Sequence, residues 1–314
     1  MKISKHRFAP VSASVAGGLS KTDFEGKIMV NKPTAEQIQS FQENGFLIVE
    51  NFLDAQELEH WRHTTDEAVA QRLESLQPKP DKADAKNAMV DEIEANRLKA
   101  NASDAEGYYA QVFTQCVKLA DSHAGMREIM FDPRLGEFAA TLAGIDGIRI
   151  WHDQALIKPP FGNPTAWHLD NPYWSFSSRR SISIWMPLDD ATKDNGCMYY
   201  IPGTHKTATY NNVGIGKNQA DLFRVYPQWR QISSVACPAA AGTAVFHNGL
   251  TAHGAGANMT NGQRRAMTCA YMPDGSTFNG VQNILPKAYF DSLQVGDVLN
   301  DDIINPLIWS SKSA

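Results

Sequence analysis

GIRIWHDQALI, residues 147–157, is the stretch at which the sequence changes character. It is a short run rich in Ile and Trp, and five similar runs follow, separated by Gly, Pro, Asn and Asp. These runs are RSISIWMPL (180–188), GCMYYIP (196–202), ISSVACP (232–238), GTAVFH (242–247) and RRAMTCAYMP (264–273). Short runs of β-forming residues with such separators are typical of an antiparallel sandwich or barrel, not of alternating β and α units. We therefore predict a mainly β fold in this half of the chain.

The N-terminal part of the chain carries two helix signals. Thr34 with Gln37, and Asp54 with Glu57, form capping-box pairs, in which two side chains satisfy free backbone N–H groups at the start of a helix. Gly45 marks the end of the first helix, and FLIVENFL after it predicts a short strand. The second helix is expected to bury a stripe of apolar side chains: Leu58, Trp61, Ala68 and Leu73.

Three further segments complete the domain organisation. EGYYAQVFTQCVKLA (106–120) and DPRLGEFAATLAG (132–144) look like amphipathic helices. Residues 76–105 are rich in Lys, Asp, Glu and Ala, which favours a solvated helix over a mobile lid. We expect the helices to pack on one sheet of the β part. The predicted divisions are an N-terminal arm (1–33) and a single domain (34–314) with a mostly helical flank (34–146), a β core (147–273) and a C-terminal extension (274–314).

Composition restricts the partners. The chain has 314 residues, 43% hydrophobic, and a formal net charge of -5, with no long basic run. It also lacks an apolar run of roughly 18 to 20 residues that could span a bilayer. We therefore expect a small-molecule partner and neither nucleic acid nor membrane. The cysteines are widely spaced without a C-x-x-C pair, which predicts buried thiols in a reducing cytoplasm: Cys116, Cys197, Cys237 and Cys269.

The stretch TAWHLDNPYW (165–174) places a histidine and an aspartate two residues apart. If it runs as a strand, His168 and Asp170 project from one face, about 7 Å apart. Farther along, FHNGLTAHGAGANMTNGQRRAMT (246–268) supplies two more histidines and an arginine. Two histidines and one carboxylate leave coordination positions open, as in non-haem Fe(II) oxygenases. Structural zinc would need a fourth protein ligand.

The blocks WHLDNPYW, SIWMPLDDATKDNGCMYYIPGTHK and FHNGLTAHGAGANMTNGQRRAMT, in this order, resemble the phytanoyl-CoA dioxygenase family of Fe(II)- and 2-oxoglutarate-dependent oxygenases. TAEQIQSFQENGFLIVENFLDAQEL and QALIKPP extend the likeness over residues 34–273, without 76–105 and 208–232. The resemblance implies a double-stranded β-helix (jelly-roll, cupin-like) core with flanking helices. It also implies that Fe(II), 2-oxoglutarate and O₂ are used to hydroxylate an unactivated C–H bond of a small molecule, with release of succinate and CO₂.

The resemblance, carried over position by position, implies three metal ligands at the catalytic centre: His168, Asp170 and His253. It implies that Arg264 binds the C5 carboxylate of 2-oxoglutarate and that Trp185 lines the same pocket. Gln154, on the strand before the metal motif, is a candidate contact of 2-oxoglutarate or substrate. The chain departs from the family pattern at Leu169, often a polar residue such as Gln, and at Ala255, often Ser. Neither change removes a ligand.

Three residues are candidate substrate contacts. Tyr173 and Trp174 follow the metal motif and could form a wall of the substrate site, although packing in the core explains aromatic residues there almost as well. Arg224 lies in NQADLFRVYPQWRQI (218–232), whose composition suits an exposed loop over the mouth of the active site.

Other residues near these motifs are expected in supporting positions. His247 is expected beside the metal ligands rather than among them, and Arg265 on the opposite strand face from Arg264. His152 is not expected to touch metal, and Lys158 is a weaker candidate than Gln154 for contact with 2-oxoglutarate.

Two other functions fit parts of the pattern. One is a cupin-like hydrolase or isomerase with Zn²⁺ or Mn²⁺ on the same ligands, and Arg264 argues against it. The other is a non-catalytic jelly-roll binding protein, against which the complete ligand set argues. Because Asp170 is a carboxylate, the sequence favours hydroxylation over halogenation, for which that position must be vacated.

Overall fold

The computed structural model of the protein describes residues 32–76 and 111–312. Nearly all of the predicted N-terminal arm (1–33) and of the charged segment 76–105 therefore lies outside the described residues. No helix within the described ranges is long and apolar enough to cross a membrane.

Two antiparallel sheets enclose the functional part of the molecule. The larger contains, in spatial order, β1 (Phe46–Val49), β8 (Ala244–Asn248), β5 (Ile182–Pro187), β10 (Arg264–Pro273), β3 (Gly147–Lys158) and β11 (Leu307–Ser310), and β2 (Thr114–Val117) also pairs with β3. The smaller contains β4 (Thr165–His168), β9 (His253–Ala255), β6 (Met198–Tyr200) and β7 (Val235–Cys237). Each of the six predicted runs contains or overlaps one strand, so the mainly β prediction is confirmed.

The helices lie mostly before the β core in the chain. Within residues 32–76 and 111–312 they are α1 (Ala35–Asn44), α2 (Ala55–Ser75), α3 (Ala124–Met130), α4 (Pro133–Ala143), α5 (Leu222–Val225) and α6 (Lys287–Ser292). Both predicted capping boxes are formed, at Thr34 with Gln37 and at Asp54 with Glu57. Gly45 ends α1 in the left-handed region at φ +82°, where a glycine avoids the steric cost of a Cβ atom.

One apolar core joins helices α1–α4 to the outer face of the larger sheet. Phe138 of α4 stacks on Phe246 of β8 with ring centroids 4.9 Å apart. In α2, the predicted stripe is correct at Trp61 and Ala68, but it is wrong at Leu73, which is 43% exposed. At that turn the buried face is occupied by Arg72, whose guanidinium donates to backbone carbonyls of the neighbouring segment.

The helix predicted over residues 106–120 is wrong in its described part. Thr114–Val117 forms β2, and a short 3₁₀ helix follows at Leu119–Asp121. The segment pairs with Gln154–Ile157 at the edge of β3, so backbone hydrogen bonds to a neighbouring strand outweigh the local helical pattern. Strands β1 and β2 therefore extend the larger sheet from within the predicted helical flank.

Strand β3 changes face at a bulge. Its pairing with β10 shifts by one residue at Trp151, which lies between the pairs Ile150–Tyr271 and His152–Ala270. Residues on the helix-packed side are therefore even-numbered before the bulge and odd-numbered after it: Ile148 and Ile150, then Ala155 and Ile157. The bulge turns the alternate residues of the second half toward the smaller sheet: His152, Gln154 and Leu156.

Candidate metal centre

Two histidines from distant parts of the chain meet across the smaller sheet. His168 ends β4 and pairs directly with His253, which begins β9, and their ring centroids are 4.2 Å apart. The Oδ1 atom of Asp170 lies 3.6 Å from Nε2 of each ring. One ligand atom from each of the three residues lies within 4.8 Å of the others. The structure thus brings together the three residues that the sequence predicted as ligands.

The backbone sets the tautomer of both rings. Nδ1 of His168 is 2.8 Å from the carbonyl oxygen of Ala166, and Nδ1 of His253 is 2.9 Å from that of Thr251. A carbonyl oxygen only accepts, so each Nδ1 is the donor. In the neutral ring this leaves the lone pair on Nε2, the atom nearest the carboxylate, available to a metal ion.

Asp170 does not continue the strand, contrary to the expected strand geometry. Strand β4 ends at His168, and the backbone of Asp170 adopts φ -79° and ψ -52° at the start of a 3₁₀ helix, Asn171–Tyr173. The carbonyl of Gly249 stabilises this turn, because it accepts from the N–H groups of both Asp170 and Asn171. The carboxylate still reaches the histidine pair, while Leu169 packs away from it in an apolar cluster with Trp229.

The second oxygen of Asp170 is held by its own partners. Nε2 of His247 lies 3.1 Å from Oδ2, and the hydroxyl of Ser183 donates to the same atom at 3.3 Å. Nδ1 of His247 is in turn 3.2 Å from the hydroxyl of Tyr200. One carboxylate oxygen is thereby oriented by protein, and Oδ1 is left facing the two ligand rings.

The charges of this cluster favour a cation. Burial alone would raise the pKa of Asp170, but His253, His168 and His247 hold it well below its usual range, so the group is a carboxylate. Burial, and then the neighbouring His168, lower the pKa of His253 to about 3. A neutral imidazole beside an ionised carboxylate is the protonation state that binds a divalent metal.

Arg264 supplies a buried positive charge in the same cavity. It is 2% exposed, and its Cζ atom lies 5.2 Å from the ring centroid of Trp185. Within the described part of the chain, Nε and Nη1 have no hydrogen-bond partner. Burial lowers the pKa of Arg264 to about 10, so it stays charged at neutral pH. A desolvated guanidinium with unused donors requires an anion, and a carboxylate matches its geometry.

The adjacent Arg265 points elsewhere, as predicted for the alternation of a strand. Its guanidinium pairs with Asp189 at 2.6 Å and with Asp66 at 2.7 Å, outside the cavity. Lys158, the cross-strand partner of Arg264, does not line the cavity either; its ammonium donates to the carbonyls of Val112 and Asn163.

One cavity between the sheets contains the metal-ligand group and most of the other predicted contacts. Gln154 and Trp185 line it, and Gln154 accepts a hydrogen bond from Gln115. Tyr173, whose hydroxyl donates to a carbonyl in the loop around Val213, and Trp174 form part of the wall.

Arg224 is not among the lining residues. Its side chain is 72% exposed and pairs with Asp221 at 3.3 Å. The expectation of an exposed loop over the mouth is wrong for the aromatic residues of this segment, because Tyr226 and Trp229 are buried and stacked at 3.8 Å. These two rings anchor the segment in a core cluster, and Arg224, which is part of α5, is left on the outside.

Sequence reasoning missed several residues of the site. Ser183 has a readable signal, since it lies two residues before Trp185 on β5 and therefore shares its face. Asn283 has none, because it belongs to the C-terminal extension and reaches the cavity only through tertiary packing. His152 lines the cavity without joining the ligand group.

The donor set fits the metal and co-substrate implied by the sequence. Two imidazole nitrogens and one carboxylate oxygen are the facial ligands of non-haem Fe(II), and they leave positions for a chelating co-substrate and O₂. The unused donors of Arg264 fit a carboxylate at the far end of that co-substrate. No third ligand histidine is needed, since His247 is engaged by Asp170 and Tyr200.

Known structures share the fold. The 2-oxoglutarate-dependent carbocyclase SnoK from nogalamycin biosynthesis aligns with a TM-score of 0.67 over 90% of this chain and 99% of its own, at 22% identity. The epimerase SnoN, in complex with Fe³⁺, alpha-ketoglutarate and nogalamycin RO, aligns with a TM-score of 0.65 over 87% and 98%, at 23% identity. These alignments confirm the predicted jelly-roll architecture.

Sequence comparisons point to the same enzyme class. A probable phytanoyl-CoA dioxygenase of Caenorhabditis elegans is 26% identical over 270 residues, which cover 80% of this chain and 77% of that protein. The family model for phytanoyl-CoA dioxygenase (PhyH) matches residues 41–266. Together with the metal-ligand group, this confirms the predicted dioxygenase class, with iron as cofactor and 2-oxoglutarate and O₂ as co-substrates. On this match and this geometry, the chain belongs to the phytanoyl-CoA dioxygenase family.

Proposed function

We propose that this enzyme hydroxylates an unactivated C–H bond of a small-molecule substrate, with release of succinate and CO₂. One observation carries the proposal: one ligand atom from each of His168, Asp170 and His253 lies within 4.8 Å of the others, in a cavity that also holds Arg264, whose Nε and Nη1 have no hydrogen-bond partner among the described residues. The buried guanidinium of Arg264 beside the metal-ligand group argues against a cupin-like hydrolase, whose reaction does not require such a cation.

The ligand residues have distinct tasks. His168 and His253 would bind Fe(II) through Nε2, with both rings held by carbonyls at Nδ1. Asp170 would bind through Oδ1, while His247 and Ser183 hold Oδ2. When bound, iron with 2-oxoglutarate and O₂ supplies the oxidising power that replaces a substrate hydrogen by hydroxyl.

Arg264 would fix the co-substrate at its other end. Its guanidinium can donate two parallel hydrogen bonds to the C5 carboxylate, and Trp185 covers one face of the charge at 5.2 Å. Exclusion of water by this packing strengthens the charge pair. On β3, Gln154 lies between the position opposite Arg264 and the position beside the metal-ligand group, so it would contact 2-oxoglutarate or substrate.

The substrate would occupy the remaining part of the cavity. Tyr173 and Trp174 would form one wall of it, and the hydrogen bond of Tyr173 to the backbone at Val213 holds its ring in place. Because the carboxylate position is filled by Asp170, we favour hydroxylation over halogenation.

We also propose a cytoplasmic enzyme with neither nucleic acid nor membrane as partner, in which residues 34–314 act as one oxygenase domain. The four cysteines are buried and unbridged, which suits a reducing compartment. The net charge of -5 argues against a polyanionic partner.

Protein purified without oxygen and reconstituted with Fe(II) tests the proposal. With 2-oxoglutarate, O₂ and a panel of small metabolites, at least one compound should be hydroxylated in step with succinate release. His168→Ala should abolish succinate formation with an unchanged circular dichroism spectrum, and exposed His63→Ala is the matched control. Metal binding without any 2-oxoglutarate consumption would favour a cupin-like hydrolase or isomerase. Failure to bind metal would favour a non-catalytic jelly-roll binding protein.

A further inference from the structure

His152 lies in the same cross-sheet row as the residues that hold Asp170. Direct strand partners connect His247 to Ser183, Ser183 to Ala270, and Ala270 to His152. At roughly 4.8 Å per strand, His152 is about 10 Å from Ser183, on the other side of the cavity. His152 therefore lies at the same height in the larger sheet as the residues that hold Asp170, although it is not a metal ligand.

His152 is also remote from the co-substrate anchor. Arg264 pairs with Lys158, six residues along β3 from His152, which corresponds to roughly 20 Å of strand. A co-substrate that extends from the metal toward Arg264 therefore leads away from His152. The end of the cavity at His152 is left for the substrate.

The environment of the ring makes His152 a neutral donor. Its Nδ1 atom is buried and has no partner among the residues that the structure describes. Because an N–H buried without an acceptor is costly, we assign the proton to Nε2. Burial lowers the pKa of His152 to about 4, and the ring is therefore uncharged at neutral pH.

Asn283 provides a second donor at the exposed mouth of the same cavity. The indole Nε1–H of Trp151 donates to its Oδ1 at 3.2 Å. Because an indole only donates, this contact assigns the carbonyl end of the amide, and the NH₂ end is directed elsewhere. Asn283 is held at φ +44°, a conformation that Asn tolerates better than most residues. The bulge residue Trp151 thus orients Asn283 and precedes His152 in the chain.

The substrate end carries no surplus positive charge. Apart from the histidines, the charged side chains among the described lining residues are Asp170 and Arg264. Once Fe(II) and 2-oxoglutarate are bound, the metal and the guanidinium balance Asp170 and the two carboxylates of the co-substrate. Lys118, whose charge acts on His152, is paired with Asp121 at 2.8 Å. An anionic substrate group at this end would therefore find neutral donors among the lining residues but no unpaired counter-charge.

We infer that His152 and Asn283 bind an uncharged oxygen acceptor of the substrate, a carbonyl or hydroxyl oxygen, and thereby determine which molecules are oxidised. This inference rests on the proposed function, because it assigns the part of the cavity that iron and 2-oxoglutarate leave open. Trp174, whose ring lies 6.4 Å from that of His152, would pack against the carbon skeleton next to this oxygen.

The test compares three small probes of similar shape on protein loaded with Zn²⁺ and saturating 2-oxoglutarate, so that no turnover occurs. Acetophenone has a neutral acceptor, benzoate is its anionic counterpart, and toluene has no acceptor. Ligand-observed NMR titrations give the three affinities. We expect acetophenone to bind about tenfold more tightly than toluene, as two neutral hydrogen bonds allow, and more tightly than benzoate.

Three variants separate hydrogen bonding from shape. His152→Gln retains a donor near the position of Nε2, whereas His152→Asn places its donor near the buried Nδ1 position. Asn283→Asp retains the acceptor for Trp151 and removes the donors. Acetophenone affinity should fall about fivefold in His152→Asn and in Asn283→Asp and should be largely kept in His152→Gln.

Three results would overturn the inference: benzoate binding as tightly as acetophenone, equal losses in both His152 variants, or no loss in Asn283→Asp. Binding of 2-oxoglutarate is measured in the same samples. If the wild-type protein does not bind 2-oxoglutarate, that result counts against the proposed function. The selectivity among the three probes can be measured with or without turnover, so it tests the inference separately.

Discussion

Nε2 of His247 lies 3.1 Å from Oδ2 of Asp170, so the third histidine of the cluster holds the carboxylate ligand instead of competing for the metal. The ring is 4.5 Å from that of His253 by centroid distance, so proximity alone does not decide which of the two binds the metal. The hydrogen bonds decide it. Nδ1 of His253 is bonded to a backbone carbonyl, which frees its Nε2, whereas both nitrogens of His247 face protein partners.

His247→Leu should therefore weaken metal binding without removing a ligand. Loss of the contact to Oδ2 frees the Asp170 carboxylate to rotate, and changes of this kind cost about 10- to 100-fold in metal affinity. Titration with Mn²⁺, followed by electron paramagnetic resonance, measures the effect. His247→Gln can keep the hydrogen bond and should recover most of the affinity; exposed His63→Leu is the control. Equal affinity in wild type and His247→Leu would contradict the assignment.

Arg264→Gln should raise the dissociation constant of 2-oxoglutarate at least about tenfold, because a carboxylate would lose its charged bidentate partner. Arg265→Gln is a matched control on the same strand, since it breaks the ion pairs with Asp189 and Asp66 outside the cavity. Isothermal titration with Zn²⁺-loaded protein measures both. An unchanged affinity in Arg264→Gln would contradict its role as the anchor.

Lys158 should make stability depend on pH. Burial and the neighbouring Arg264 lower its pKa to about 7 in the folded protein, whereas an unfolded lysine titrates near about 10.4. Between these values the unfolded chain binds the extra proton, so the free energy of unfolding rises with pH. Its contribution is fully present above the unfolded pKa and is lost as pH falls through the folded one.

Lys158→Met removes this titration. The free energy of unfolding of wild type minus that of the variant should therefore be larger at about pH 9 than at about pH 6. Urea unfolding at both values, without metal or 2-oxoglutarate, gives the difference. A difference that stays constant across the range would show that Lys158 keeps an ordinary pKa in the folded state.

Phe138→Ala should destabilise the attachment of α4 to the larger sheet. Phe138 is fully buried between Phe246 and Phe52, and truncation of such a ring costs about 3 to 5 kcal/mol. Chemical denaturation followed by tryptophan fluorescence measures the loss. Phe161→Ala, at a side chain that is 70% exposed, should change stability by less than about 0.5 kcal/mol. Similar losses in the two variants would contradict this account of the core.

Much of the fold was predictable because its signals are local. The capping boxes at Thr34 and Asp54 depend on residues three apart, and both are present in the structure. The strand runs are defined by short stretches of β-forming residues with turn residues between them. Where a local pattern competed with a neighbouring strand, as at Thr114–Val117, the prediction of a helix was wrong because pairing with β3 satisfies the same backbone groups.

The sequence by itself determined the chemistry of this protein, because the residue types of a metal site and the spacing of its motifs are written along the chain. Only the tertiary structure decided which side chains surround the metal-ligand group and face the cavity. The one-residue shift at Trp151 turns His152 and Gln154 into the cavity, and the fold places His247 behind Asp170 and Asn283 at the mouth. These relations depend on pairing register and on contacts between residues far apart in sequence. A single inserted residue in a strand reverses the face of every residue after it.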